Sequence, residues 1–152
     1  MQPLHLPTFD SRIRPTADGR SSEIFDVIRK KFVALTPEEW VRQHFIHYLN
    51  LQLGYPLSLL SIERKLTFNG LTRRTDIVAY KNDGLPKLIV ECKAPAVKIT
   101  QEVFDQAARY HLITPVPFLV VTNGLEHFCC TINHEKQSYS FHEGIPAYKE
   151  LL

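Results

Sequence analysis

Three residues in the middle of the chain have types and spacing suited to chemistry: Asp76, Glu91 and Lys93. Two apolar runs carry them, Thr75–Tyr80 and Leu88–Lys93, and the Asn82-Asp83-Gly84 between them predicts a hairpin turn. Side chains alternate along a strand, so Glu91 and Lys93 project to one side and Val90 and Cys92 to the other. Two carboxylates about 4 Å apart repel by roughly 4 kcal/mol at an effective dielectric of about 20. Asp76 and Glu91 as neighbours therefore ask for a cation, Lys93 or a proton between them. A divalent metal ion meets that demand. The plainer arrangement for the same residues is an exposed ion-pair ladder, worth only a fraction of a kcal/mol.

The flanking sequence predicts what positions these groups. Thr36-Pro37-Glu38-Glu39 is a helix start, with Thr36 as N-cap, Pro37 at the first helical position and Glu39 placed for a capping box. The helix runs to about Leu53, with Val41, Phe45, Ile46, Tyr48 and Leu49 on one face, and Gly54-Tyr55-Pro56 stops it. On a helical wheel Glu38 falls at the centre of that apolar face and Glu39 at its edge. Glu39 then caps, while Glu38 points inward and requires a partner. Ile62–Phe68 and Thr72–Tyr80 form a hairpin about Asn69-Gly70. Pro95 ends the Leu88–Lys93 strand, and Thr100 caps a helix from Gln101 to about Leu112. Phe118–Thr122 reads as a strand buried on both faces. Asn123-Gly124 turns the chain into Glu126–Ile132, and Ser138–Phe141 adds a short strand. Residues 1–22, with Pro3, Pro7 and Pro15, read as an extended strap; Ile24–Leu35 suits a helix or a strand equally. The sum is an α/β fold, a mixed central sheet flanked by helices on both sides, in a single domain spanning residues 1–152.

Composition narrows the function classes. At 152 residues the chain is long enough for one well-buried core. Eighteen basic against sixteen acidic residues give a net charge of +2, which excludes a nonspecific polycationic coat. Contact with nucleic acid must come from local patches such as Arg29-Lys30-Lys31 and Arg73-Arg74. Three cysteines without framework spacing point to reduced thiols, and no Cys/His cluster suggests structural zinc. Met1–Asp10 lacks the pattern of a signal peptide and no run is long enough to span a membrane, so a cytoplasmic protein is expected.

Asp76, a spacer, then Glu91-x-Lys93 resembles the signature of the PD-(D/E)xK nuclease superfamily. Gln106-x-x-x-Tyr110 places two residues on one helical face directly after that strand, and resembles the companion motif of the RecB-like branch. The ordered set Thr36–Gln43, Gly54-Tyr55-Pro56, Arg74-x-Asp76-Ile77-Val78, Glu91-Cys92-Lys93-Ala94-Pro95, Gln106-x-x-x-Tyr110 and Thr122-Asn123-Gly124 resembles the N-terminal nuclease domain of type I restriction enzyme R subunits, in particular its small stand-alone relatives. The resemblance implies a restriction-endonuclease-like fold and Mg²⁺-dependent hydrolysis of DNA phosphodiesters, with Mn²⁺ able to substitute. It assigns the metal to Asp76, Glu91 and the backbone carbonyl of Cys92, the polarising of water to Lys93, completion of the site to Glu38, and approach to the DNA backbone to Gln106 and Tyr110. DNA, restriction-system subunits or a second copy of the chain are the implied partners. Thr75 stands where the superfamily name has Pro. No Gly-x-x-x-x-Gly-Lys-Ser/Thr occurs, so the expected activity has no ATP-driven motor. The rival expectation is a DNA- or partner-binding module on the same fold with a weak or vestigial site.

Overall fold

Thr36 opens the first helix as expected: its hydroxyl accepts the Glu39 N–H at 3.1 Å, Pro37 takes the first position, and α1 runs Pro37–Leu51. The computed structural model describes residues 1–151 of the chain. Three strands precede α1, namely β1 (Ile13–Pro15), β2 (Ser22–Asp26) and β3 (Lys31–Ala34). After it come β4 (Leu60–Ile62), β5 (Lys65–Phe68), β6 (Leu71–Arg74), β7 (Ile77–Tyr80) and β8 (Pro86–Cys92). The second helix, α2 (Gln101–His111), leads to β9 (Phe118–Thr122), β10 (His127–Asn133) and β11 (Ser138–His142).

The central sheet has six strands in the order β11-β10-β9-β8-β7-β4. All neighbours are antiparallel except β8 and β9, which run parallel because α2 carries the chain back across the sheet between them. Strand alternation sorts the core into two layers. Ile77, Ala79, Leu88, Val90, Cys92 and Val120 pack with α1, whereas Val78, Ile89, Leu119, Val121 and Cys130 pack with α2. The expected mixed sheet with a helix on either face is therefore what forms. Glu91, between Val90 and Cys92, falls on the α2 face.

The N-terminal third differs from the expected strap. Residues 1–12 hold no strand or helix, but Ile13–Pro15 and Ser22–Asp26 pair with each other and then with Lys31–Ala34 in a separate three-stranded sheet. Its outer strand is wholly exposed, held by an Arg14–Glu23 pair at 3.0 Å and by Arg12 and Arg14 over the rings of Phe25 and Phe32. Such a strand carries no apolar alternation to reveal it. Ile24–Leu35, open between helix and strand, becomes a hairpin because buried Asp26 accepts the N–H groups of Ile28 and Arg29 and fixes a turn there.

The first residues do act as a strap. Leu4 and Leu6 pack on the core, and His5 N–H donates to the Gly124 carbonyl at 2.8 Å. Gly124 has φ +85° and a Cβ there would lie 2.8 Å from a Leu4 methyl carbon. Gly124→Ala should cost about 1–2 kcal/mol through the left-handed backbone alone. Because Leu4 must also yield, proteolysis within residues 1–12 should accelerate; unchanged cleavage there would show that the strap is not seated on this turn.

Candidate functional site

Register brings the three sequence-predicted residues together. Ile77 pairs with Val90, so one step onward Asp76 stands opposite Glu91 on the same face. Past the end of β8 the Lys93 N–H still reaches the Thr122 carbonyl at 2.7 Å, which continues the strand and keeps Lys93 on the side of Glu91. Asp76, Glu91, Cys92 and Lys93 line one cleft of about 460 Å³ together with Tyr110, Glu63, Arg74 and Thr75.

Each acid has its own surroundings. Asp76 Oδ2 accepts the Cys92 N–H at 2.7 Å, and Oδ1 accepts from Arg42 Nη2 at 3.2 Å. Burial nonetheless holds its carboxyl above the usual range, outweighing the Cys92 N–H and the Arg42 charge, with Glu91 adding repulsion. For Glu91, burial also pushes upward, but His111 and Lys93 overcome it and hold the carboxyl below the usual range. Lys93 Nζ lies 3.2 Å from Glu91 Oε2, and His111 Nε2 lies 3.9 Å from Oε1. Two like acids thus sit in one cleft with their proton affinities pushed apart, a pattern associated with functional sites. The Cys92 thiol is excluded from this chemistry: its side chain packs in the α1 layer, and burial raises its pKa.

The two acids at the start of α1 are exchanged relative to expectation. Glu38, expected to point inward and complete the site, is exposed and does not line the cleft. Glu39, expected only to cap, is 7% exposed. Its backbone serves the cap while its carboxylate accepts from Arg29 at 2.8 Å, Arg42 at 3.0 Å and Gln43 at 3.0 Å. A helical wheel gives direction around the axis but not how far the covering structure extends along it. Helical side chains lean toward the N-terminus, so in the first turn Glu38 reaches past the core that its angle would meet further along.

The second motif divides similarly. Tyr110 lines the cleft, its hydroxyl accepting the Arg74 N–H at 2.9 Å. Gln106, one turn earlier, is exposed and lies off the cleft lining. Three participants escaped the sequence reading. Arg42 reaches Asp76 and Glu39 from the helix face. Glu63, in the left-handed region at φ +50°, donates its N–H to the Asp76 carbonyl at 3.0 Å and fixes the start of β7. His111, fully buried behind Glu91, has neither ring nitrogen hydrogen-bonded. Its only sequence signal is adjacency to Tyr110.

Among the described residues, no group of three or more His, Cys, Asp or Glu side chains is arranged to hold a metal ion. Among those residues, too, no helix is long and apolar enough to cross a membrane. The family model for the type I restriction enzyme R protein N terminus matches residues 37–146, from the first residue of α1 to beyond β11. No curated protein matches the chain significantly.

Proposed function

The chain belongs to the family of type I restriction enzyme R protein N termini, and from that premise we propose that it is a metal-dependent deoxyribonuclease. One observation carries the reading: Asp76, Glu91 and Lys93 line a single cleft in which the two carboxyls are shifted in opposite directions. A structural ion-pair ladder does not need a cleft.

The donor set suits a hard divalent cation. The carboxylates of Asp76 and Glu91 and the carbonyl of Cys92 are all oxygen, the choice of Mg²⁺ or Mn²⁺ rather than zinc. When bound, such an ion supplies charge neutralisation at the phosphate and a more acidic water. The protein's part is positioning. The Cys92 N–H holds Asp76 in place, and Lys93, anchored by Glu91, presents an ammonium where an attacking water is polarised and where negative charge develops. Tyr110 braces the Arg73-Arg74 segment beside the cleft, leaving Arg74 exposed toward a phosphate. Glu38 has no place in this arrangement.

The test is nicking of supercoiled plasmid by purified protein with Mg²⁺ or Mn²⁺, with and without EDTA, beside Lys93→Ala. We expect metal-dependent cutting that falls by roughly 10²–10³-fold in the variant, the scale for removal of one preorganised electrostatic group. Absence of cutting by the parent at every metal concentration overturns the reading. A second reading, a DNA- or partner-binding module of the same family, is favoured by two contacts that give both Asp76 oxygens donors already. It predicts DNA binding without hydrolysis.

A further inference from the structure

The β5–β6 hairpin stands apart from the central sheet as a two-stranded sheet of its own. Asn69 and Gly70 at its tip have φ of +50° and +77°, as a tight two-residue turn requires. The segment Arg64–Arg74 contains four of the eighteen basic residues and none of the sixteen acids, so the rest of the chain carries a net charge of −2. Arg64, Lys65 and Arg74 are exposed, and none of the four is in an ion pair among the described residues. The positive excess of the molecule is therefore concentrated on this hairpin. Its base adjoins the candidate cleft, which Arg74 lines, and its tip exposes two large apolar side chains, Phe68 at 41% and Leu71 at 49%.

A second cavity of about 330 Å³ opens behind that tip, walled by Phe68 and Leu71 with the apolar Leu112, Ile113 and Pro115 opposite, and carrying the amides of Asn69 and Gln137 at its edge. The ring of His134, which lines the cavity, has the carbonyls of Leu112 and Val116 at 2.8 and 2.9 Å from its two nitrogens, and its N–H donates to one of them. An aromatic face with amides at its rim, at the end of an acid-free basic stem, is how a base is stacked and read while its backbone is held by charge. An apolar tip meant for a protein core gains nothing from four unpaired cations beside it.

We propose that this hairpin is a nucleic-acid finger. Its basic stem follows the sugar–phosphate backbone out of the candidate cleft, and Phe68 and Leu71 take an unpaired base. Leu71 and Arg74 are three strand residues apart and face opposite sides of the hairpin; the separation along the strand is about 10 Å, about three stacked nucleotides, over which the bound strand crosses the hairpin's edge. The inference rests on the nuclease reading and names its substrate class: DNA with a single-stranded or frayed stretch about three nucleotides from the bond that is cut.

Binding is measured in EDTA, without cleavage, by anisotropy of a labelled oligothymidylate and of a blunt duplex of equal length. We expect the single strand to bind more tightly. Phe68→Ala should weaken it by about 10-fold or more, the scale of a lost base–aromatic stack, and change duplex binding less than about 2-fold, while Phe68→Trp restores it. A 2-aminopurine in the strand should be quenched by the parent and not by Phe68→Ala. An unchanged affinity for the single strand, equal losses on both substrates, or a loss of self-association or partner binding in place of DNA binding overturns the finger. Failure of the two readings is separable. Phe68-dependent strand binding by a protein that never cuts leaves the finger and removes the nuclease; cutting with Phe68-independent binding does the reverse.

Discussion

Asp76→Asn is expected to lower metal-dependent nicking by about 10³-fold or more while yielding a protein that melts, at neutral pH, no lower than its parent. The activity follows if Asp76 is the aspartate of the cleft that faces Glu91 across the strand pair. The stability follows from its surroundings. Burial makes the folded state favour the protonated carboxyl, and a group whose pKa rises on folding contributes stability that is fully present below its unfolded pKa and lost as pH climbs through the folded one. At neutral pH that contribution has gone, so replacing the carboxylate removes a charge that the fold does not favour. Arg42 is not stranded, because Glu39 and Glu63 remain at 3.0 and 3.4 Å.

The sign of the pH dependence tests this argument separately from catalysis. The melting temperature of Asp76→Asn minus that of the parent should rise as pH moves from the ordinary carboxylate range up through the raised value of Asp76. Glu91→Gln should behave in the opposite sense. Its carboxyl is held low by His111 and Lys93 against burial, so its contribution is present above the unfolded pKa and lost as pH falls through the folded one. Melting curves collected across that range should therefore diverge between the two variants. Parallel curves would contradict the opposed electrostatics of the pair.

What was legible in the sequence was what local chemistry determines. Thr36 and Thr100 cap because their hydroxyls reach the N–H groups of Glu39 and Val103, a contact set within four residues. Asn69-Gly70 turns because both residues adopt positive φ. Alternation in Leu88–Lys93 placed Glu91 and Lys93 on one side, and the register of the strand pair sets Asp76 opposite Glu91. The resemblance to type I restriction enzyme R subunits is matched by the family model over residues 37–146. What stayed hidden depends on where elements end and on contacts distant in sequence. The β1–β2 pairing lies on the surface and has no apolar period. His111 acquires its place behind Glu91 only when α2 lies on the sheet. Gln106 shares the face of Tyr110, yet the cleft closes at Tyr110. Membrane passage is likewise a matter of length and apolarity, and neither helix has enough of either.

The choice between Glu38 and Glu39 shows the same limit and yields the largest expected effect on stability. Glu39 is the hub of an ion network: Arg29 bonds Asp26 at 2.6 Å, Glu39 at 2.8 Å and Glu63 at 3.1 Å, while Arg42 bonds Glu39, Glu63 and Asp76. Glu39→Ala leaves two guanidinium groups with one acid fewer, and Arg42 already has a buried Nε without a partner. Breaking a buried pair from one side costs roughly 3–5 kcal/mol; the exposed carboxylate of Glu63 softens this, so about 3 kcal/mol is expected. In a chain of this size that lowers the melting temperature by about 6–12 °C. Glu38→Ala removes an exposed acid near a helix N-terminus and should cost less than about 1 kcal/mol. Because Asp26 and Arg29 come from the β2–β3 hairpin, outside the family match, Glu39→Ala should also raise amide exchange across Ser22–Ala34. Arg42 connects the same network to Asp76, so loss of Glu39 should free Arg42 to pair more closely with that carboxylate and weaken any metal bound there. If instead Glu38→Ala proves the more damaging of the two, in stability or in nicking, the inward acid has been misassigned and the wheel was right.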